Sequence, residues 1–330
     1  MSVYQPPFTI NSHMLMLVAQ IAEKVGRISS YRSFDSKPHL RRSNRIRSIH
    51  SSLAIEANSL SLDEVRGVIS GKTVVGPQKE IQEVLNAYQA YEAIGSFDPF
   101  SIEELKKLHG MLTCQTVAES GMFRSGNEGV FHDGVCIFMA PPPQMVPQLM
   151  EQLFAWMKSS REQVHPLILS SVFHYEFVFI HPFSDGNGRM ARLWQTALLN
   201  AWNPVFQYVP LESMIHEWQE DYYQSIAACH GAGNSDFFIE FMLRQIDHTM
   251  ERVLEQIGSE DATLSEYVRR LLDAMEYDVP YTAVQLMTAL HLKSKETLRR
   301  HYLGPAIEKG LIVMGLPDKP TSRNQTYIRK

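Results

Sequence analysis

Twelve consecutive residues, His181-Pro182-Phe183-Ser184-Asp185-Gly186-Asn187-Gly188-Arg189-Met190-Ala191-Arg192, combine side chains that together can handle a polyphosphate. Gly186 and Gly188 bracket Asn187 between an apolar helical stretch and a second helix from about Arg189. Such a loop leaves backbone N–H groups free at a helix N-terminus, where the orphan donors and the helix dipole attract anions. Arg189 and Arg192 lie three apart, on one helical face, and each guanidinium can fork onto phosphate oxygens. Asp185 offers the hard oxygen that a magnesium ion prefers beside a polyphosphate. His181 stands at the mouth of the loop, with an imidazole that can take a proton from an attacking hydroxyl near neutral pH. Each feature alone is commonplace. Packed into one segment, base, metal ligand, anion loop and two cations predict nucleotide chemistry.

The elements that must position this segment are mostly helical. Apolar residues recur on one face over Met14–Ile28, Glu80–Ile94, Val146–Met157, Leu167–Val178, Leu193–Trp202, Met214–Ala228 and Phe237–Gln256. Ser101 opens a further helix, and Ser101-Ile102-Glu103-Glu104 reads as a capping box. One segment departs from the pattern. Residues 129–138 place Asp133-Gly134 between two short apolar runs, a strong hairpin signal.

Small and acidic residues at Gly258-Ser259-Glu260-Asp261 suggest a domain boundary. Beyond it, Thr282–Leu290 and a stretch from Ser294 to about Lys309 read as helices, followed by strands at 310–313 and 326–328. Helix, turn, helix and β-ribbon make the plan of a winged helix-turn-helix. The expected organisation is a helical N-terminal region over 1–100, a core over 101–257 and a winged unit over 262–330.

Of the 330 residues, 44% are hydrophobic and 20% charged, which is the composition of a globular protein with a full core. The net charge of -5 argues against the whole chain being a polyanion binder. Cys114, Cys136 and Cys229 are scattered, without a CxxC pair, which argues against a disulfide framework or a zinc site; each is expected to be a small buried apolar residue. The N-terminus lacks a basic start and an apolar run, and no stretch of about 18 apolar residues occurs, so no signal peptide and no membrane span are expected. The expected location is the cytoplasm.

The twelve-residue segment matches, at every fixed position, the signature His-Pro-Phe-x-(Asp/Glu)-Gly-Asn-Gly-Arg-x-x-Arg, and so resembles the Fic (Fido) family of protein AMP transferases. The preceding residues 174–180 are similar to the helix leading into that loop, and the resemblance covers roughly 101–245. It implies a mostly α fold: a Fic-type helical core with a small β-hairpin flap, here followed by the winged unit. It implies that His181 is the base for a target hydroxyl and that Asp185 binds Mg²⁺ with ATP as substrate. Gly186, Asn187 and Gly188 would hold the phosphates by backbone and amide groups, and Arg189 and Arg192 would hold the outer ones.

Residues 52–58 resemble the inhibitory motif of that family, (Ser/Thr)-x-x-x-Glu-(Gly/Asn), with Ser52 and Glu56 on one helical face and with Ala57 in place of the usual Gly or Asn. The resemblance implies that Glu56 pairs with Arg192 and displaces the γ-phosphate, with Ser52 orienting the carboxylate. It also implies that the flap at Val135, Cys136, Ile137 and Phe138 pairs with an extended target segment by β-augmentation. Tyr222 and Tyr223 resemble a tyrosine pair that lines the adenine pocket, and His230 falls where some relatives have Asn. Gly121-Met122-Phe123-Arg124 resembles a structural segment of the family. The basic run Arg41, Arg42, Arg45 and Arg47 is expected to be a solvated helix face.

The functional reading is an AMP transferase acting on proteins and itself, restrained by Glu56. Two alternatives stay open: a DNA-binding regulator with a nucleotide-sensing core, and the same fold transferring another nucleotide or phosphocholine. Lys293, Lys295, Arg299 and Arg300 leave the winged unit open to DNA or to protein docking, and a homodimer is also left open.

Overall fold

A computed structural model describes residues 4–30, 38–132, 135–276, 279–317, 319–320 and 322–329; at 30, 38–40, 130–132, 135–137 and 257–263 only the backbone is described. The chain divides into two compact units, Met1–Val25 with Arg45–Met250, and Gly26–Asn44 with Glu251–Lys330.

The first unit is built around two helices. Helix α7 (Pro166–Ile180) buries twelve of its fifteen residues, so it is enclosed on every side and its sequence shows little amphipathic contrast. It packs on α8 (Asn187–Trp202), which also buries twelve residues. The loop joining them, 181–186, is the signature segment. The other helices of this unit are α3 (Leu62–Ile69), α4 (Gln78–Ala93), α5 (Ile102–Leu112), α6 (Val146–Ser160), α9 (Leu211–Glu217) and α10 (Gln219–Ala232), with α1 (Ser12–Ser30) as far as Val25, α2 (Pro38–Ile55) from Arg45 and α11 (Asp236–Thr263) as far as Met250. The helix expected over 214–228 is in fact two, α9 and α10, broken at Trp218.

Ser101 caps α5 by accepting the Glu104 N–H, but the reciprocal bond is not made, because the Glu104 carboxylate turns to Lys107 at 2.9 Å. Complete capping boxes occur instead at Ser61 with Glu64 and at Thr282 with Gln285. A two-stranded hairpin pairs β1 (Gly129–His132) with β2 (Val135–Met139) antiparallel, with a bulge between Val130 and Phe131 that re-aims the strand. The turn expected at Asp133-Gly134 lies outside the described residues.

Helix α11 continues through Thr263, across the stretch where a boundary was expected. A lone glycine costs about 1 kcal/mol in a helix, and without a proline it does not end one. In the second unit, α12 (Glu266–Asp273), β3 (Pro280–Thr282) and α13 (Ala283–Ala289) precede three continuous helical pieces, Lys295–Thr297, a π-helical turn Leu298–Leu303, and Gly304–Glu308. Strands β4 (Ile312–Met314) and β5 (Thr326–Arg329) follow, and the sheet order is β3-β5-β4, antiparallel throughout. Strand β3 and helix α12 were not legible in the pattern. Leu271, Met275, Leu286, Leu298, Tyr302 and Ala306 form the core of this unit.

No helix among the described residues is long and apolar enough to cross a membrane. Cys229 is buried, as expected, whereas Cys114 is exposed: Thr113 beside it faces inward, which leaves Cys114 in the solvent.

Candidate active site

His181 ends α7 in a left-handed conformation, φ 52° and ψ 59°, unusual for a residue with a Cβ. Its N–H still closes the helix onto the Phe177 carbonyl, while the turned backbone directs the chain into the loop. The ring Nδ1 lies 3.2 Å from the Val178 carbonyl, an acceptor only, so Nδ1 carries the proton and Nε2 presents its lone pair. Burial holds the imidazole below the usual histidine range, and Arg124 adds to that, against the opposing Val178 carbonyl and the more distant Glu128 and Glu56. A neutral imidazole with a free Nε2 is the form a general base needs.

Arg124, 3% exposed, fixes this backbone. Its Nε donates to the His181 carbonyl at 2.6 Å, Nη1 to the Gly126 carbonyl at 2.7 Å, and Nη2 to the Pro141 carbonyl at 2.5 Å. One guanidinium thus ties the base to the chain entering and leaving the hairpin, which supports the structural part expected for this residue.

The loop is shaped from within. Phe183 is fully buried and stacks on His109, with ring centroids 3.6 Å apart. His109 bridges the Asp185 carbonyl at 3.0 Å and the Gly121 N–H at 2.9 Å, and burial pushes its pKa down to about 4, so it stays neutral. No local spacing marked His109, since its partners lie 12 and 76 residues away. Asn187 donates to the Phe183 carbonyl at 2.7 Å and accepts its N–H at 2.9 Å. Its Oδ1 and one N–H of its amide are thus engaged within the loop, which leaves the second amide N–H and the backbone N–H for an anion.

Gly186 adopts φ 80°, which favours glycine, and a Cβ there would crowd Thr113 Cγ2 at 3.1 Å. Asp185 Oδ1 accepts the Gly186 N–H at 2.5 Å and Arg189 Nη2 at 3.2 Å, and Oδ2 has no hydrogen bond among the described residues. Arg189 is also 3.5 Å from Glu83.

Glu56 follows the last residue of α2. Its Oε1 lies 2.8 Å from Arg192 Nη2 and so close to Gly188 that a Cβ at 188 would collide with it. Ser52 does not orient this carboxylate. Instead Ser52 Oγ accepts from Arg192 Nε at 3.1 Å and its carbonyl from Nη2 at 2.9 Å, because the buried guanidinium reaches the α2 backbone first. Helix α2 is itself held by Ser48 on the buried Glu212 carboxylate at 2.7 Å, by Ser51 on Ser213, and by buried Ile46, Ile49 and Leu53. Its basic run is not a solvated face. Arg45 is half-buried, pairs with Glu92 and lies over the Tyr208 ring, while Arg42 pairs with Glu276.

The tyrosine pair divides. Tyr222 is 2% exposed and turns into the core, its hydroxyl 3.0 Å from His174 Nε2; Tyr223 is 50% exposed. On the flap, Phe138 stacks on His230 at 4.7 Å and tilts against Phe179 at 5.5 Å. These three, with Tyr175 and Glu176, help line a cavity of about 540 Å³. The side chains of Val135, Cys136 and Ile137 lie outside the described set.

Among the described residues no group of three metal-binding side chains gathers. A magnesium ion that arrives with a polyphosphate needs only one or two carboxylates, with phosphate and water oxygens completing the shell. Asp185, 45% exposed and with Oδ2 unengaged, fits that requirement.

Residues 99–199 match the family model described as Fic/DOC family, and residues 266–328 match the one described as Filamentation induced by cAMP protein Fic-like, C-terminal domain. The chain is 30% identical over 220 residues to a protein named Protein adenylyltransferase Fic from Nematostella vectensis, covering 62% of this chain and 48% of that one. It is 26% identical to Protein adenylyltransferase fic-1 from Caenorhabditis elegans, covering 62% and 40%. The chain thus spans half or less of the length of these relatives. The crystal structure of a Fic family protein from Desulfovibrio desulfuricans G20 is 42% identical, covers 99% of this chain and 98% of its own, and superposes with a TM-score of 0.75. Fic-1 from C. elegans, 20% identical, covers 75% and 73% with a TM-score of 0.64 and shares the fold. Because the Desulfovibrio protein matches along essentially its whole length, and the unbroken signature forms the loop between the two central helices, this chain is a member of the Fic family.

Proposed function

We propose that this chain transfers AMP from ATP to hydroxyl side chains of proteins, itself included, and that Glu56 holds the reaction in check. The observation that carries the reading is the 3.2 Å contact of His181 Nδ1 with the Val178 carbonyl, which leaves Nε2 to act as a base at the loop that leads into α8. The relatives named protein adenylyltransferase support it.

In this reading the backbone N–H groups at the start of α8 and the guanidinium groups of Arg189 and Arg192 bind the phosphates. Asp185 would hold Mg²⁺, which supplies charge neutralisation on the bridged phosphates. The target hydroxyl loses its proton to His181 Nε2, its oxygen bonds the α-phosphorus, and the bond to pyrophosphate breaks. Catalysis consists of positioning and charge stabilisation. Tyr223 and the aromatic wall of Phe138, Phe179 and His230 would contact the base. An extended target segment would pair with the edge of β2, whose main-chain groups do not depend on target sequence.

Incubation with ATP labelled at the α-phosphate tests the reading. Label should appear on the protein, require a divalent cation, and vanish in His181→Ala while ATP binding persists. Label from another nucleotide but not from ATP would overturn the choice of donor. Transfer at the wild-type rate in His181→Ala would overturn the mechanism.

A further inference from the structure

The charge of the chain is unevenly placed. Residues 283–330 hold nine Lys or Arg against three Asp or Glu, a surplus of six, in a chain whose net charge is -5. Six of these cations are exposed and lie on two structural features: Lys293, Lys295, Arg299 and Arg300 along the second helix after the turn, and Lys319 and Arg323 in the β4–β5 loop. Among the described residues none of the six has an ion pair. Arg329 of the same stretch differs, since its guanidinium turns inward to the Leu272 carbonyl at 2.6 Å.

The turn sets the helix firmly. His291 takes φ 54°, the Leu292 N–H closes onto the Met287 carbonyl at 2.8 Å, and Ser294 caps the next helix at Thr297. Leu298, Tyr302, Leu303 and Ala306 fix its inner face in the core of the unit. The outer face of 291–303 shows no exposed large apolar residue and only one acid, Glu296, and among the described residues of the β4–β5 loop Leu316 is the single exposed large apolar side chain. Protein interfaces draw their affinity from buried apolar and aromatic anchors, which this face lacks. Unpaired cations on a helix and on the loop of the β-ribbon that follows it in the chain suit a regular polyanion.

We propose that the second helix of this turn and the β4–β5 loop form a binding surface for the phosphate backbone of duplex DNA. Affinity comes from release of counterions, so its salt slope measures the number of phosphates met. Four to six contacts give a slope of about -4 to -5, or a loss of several hundred-fold between about 50 and 200 mM salt.

The full chain, without ATP, is titrated with a fluorescent mixed-sequence DNA duplex at several salt concentrations, beside an acidic polypeptide of similar charge. The wild type should bind the duplex with that slope. Arg299→Ala with Arg300→Ala, and separately Lys319→Ala with Arg323→Ala, should each flatten it by about two. Arg299→Lys with Arg300→Lys should keep the wild-type slope. Absence of duplex binding at low salt, a slope unchanged in both alanine pairs, or equal affinity for the acidic polypeptide would overturn the proposal. The last result would assign the surface to protein docking. Because no nucleotide substrate is present, the outcome is independent of AMP transfer.

Discussion

The Glu56 carboxylate and the Arg192 guanidinium meet at 2.8 Å directly over Gly188, at the N-terminus of the helix that a phosphate would approach. Three of the five Arg192 N–H groups are engaged, one by Ser52 Oγ, one by the Ser52 carbonyl and one by Glu56. Only 1% of the Arg192 side chain is exposed, so a competing anion must enter where Glu56 already stands. In the proposed function the carboxylate would therefore obstruct an anion twice, by pairing with the cation and by filling the space above the glycine.

Removing the carboxylate frees both. Glu56→Gly should raise self-labelling by tenfold or more, a change that about 1.4 kcal/mol accomplishes. Glu56→Gln, which keeps the volume but not the charge, should raise it less. Addition of His181→Ala to Glu56→Gly should abolish the gain. Initial rates of AMP incorporation at saturating ATP decide the matter, and equal rates for wild type and Glu56→Gly would sink the inhibitory assignment.

Arg124 offers a test of how the base is held. Lysine retains the charge but not the planar fork that reaches four carbonyls, those of His181, Gly126, Pro141 and Ile180. Arg124→Lys should lower the transfer rate about tenfold or more with little change in ATP affinity, because it acts on the backbone of His181 and not on the phosphate loop. Measured in the Glu56→Gly background, an unchanged rate would remove Arg124 from the positioning of the base. Since burial lowers the His181 pKa, the acidic limb of the rate profile should fall below pH 6.5.

The site was largely legible because its residues are contiguous and their types restricted. From His181 to Arg192 the structure brings the loop, the helix start and both guanidinium groups together as the spacing required. What escaped notice depends on separation in sequence. His109 stacks on Phe183 from 74 positions away, and Glu83 reaches Arg189 from another helix. Tyr222 and Tyr223 are adjacent, and only packing on His174 and Phe238 decides which one faces the core. Strand β3 is three residues long and begins with proline, too short for an alternating pattern to show.

Two buried histidines should make the fold sensitive to acid. Burial pushes His109 down to about 4 and His174 to about 3, whereas both titrate near 6.5 in an unfolded chain. The unfolded chain then binds protons that the folded one refuses. The stabilisation is complete above pH 6.5 and declines as pH falls, by about 1.4 kcal/mol per pH unit for each group. Glu176, pushed up by burial, works in the opposite sense, but burial also lowers His50, His165, His181 and His230, which act with the first two. The urea midpoint should drop markedly between pH 7 and pH 5, and a midpoint that holds or rises would contradict this account.

Ala57 marks where this chain departs from the family pattern, and the structure gives the departure a physical meaning. Glu56 directly follows the last residue of a helix that closes in a Schellman arrangement: the Ala57 N–H reaches the Ala54 carbonyl at 3.0 Å, and the Asn58 N–H reaches the Leu53 carbonyl at 3.1 Å. The arrangement forces Ala57 to φ 64°, where a Cβ costs about 1 kcal/mol or more and glycine or asparagine costs little. Asn58 then anchors the turn, donating to the Glu80 carbonyl at 3.3 Å and to Glu83 at 3.0 Å. Alanine at 57 thus leaves Glu56 in place but strains the turn that presents it. Ala57→Gly should relieve the strain and stabilise the chain by about 0.5–1 kcal/mol, part of the gain being offset by the greater freedom of glycine in the unfolded state. Because Glu56 keeps its partner, basal AMP incorporation should stay at or below the wild-type rate. Thermal melting and self-labelling of the same preparation test both halves: a lowered melting temperature would refute the strain, and a raised rate would show that the turn, not the Glu56–Arg192 contact, limits the enzyme.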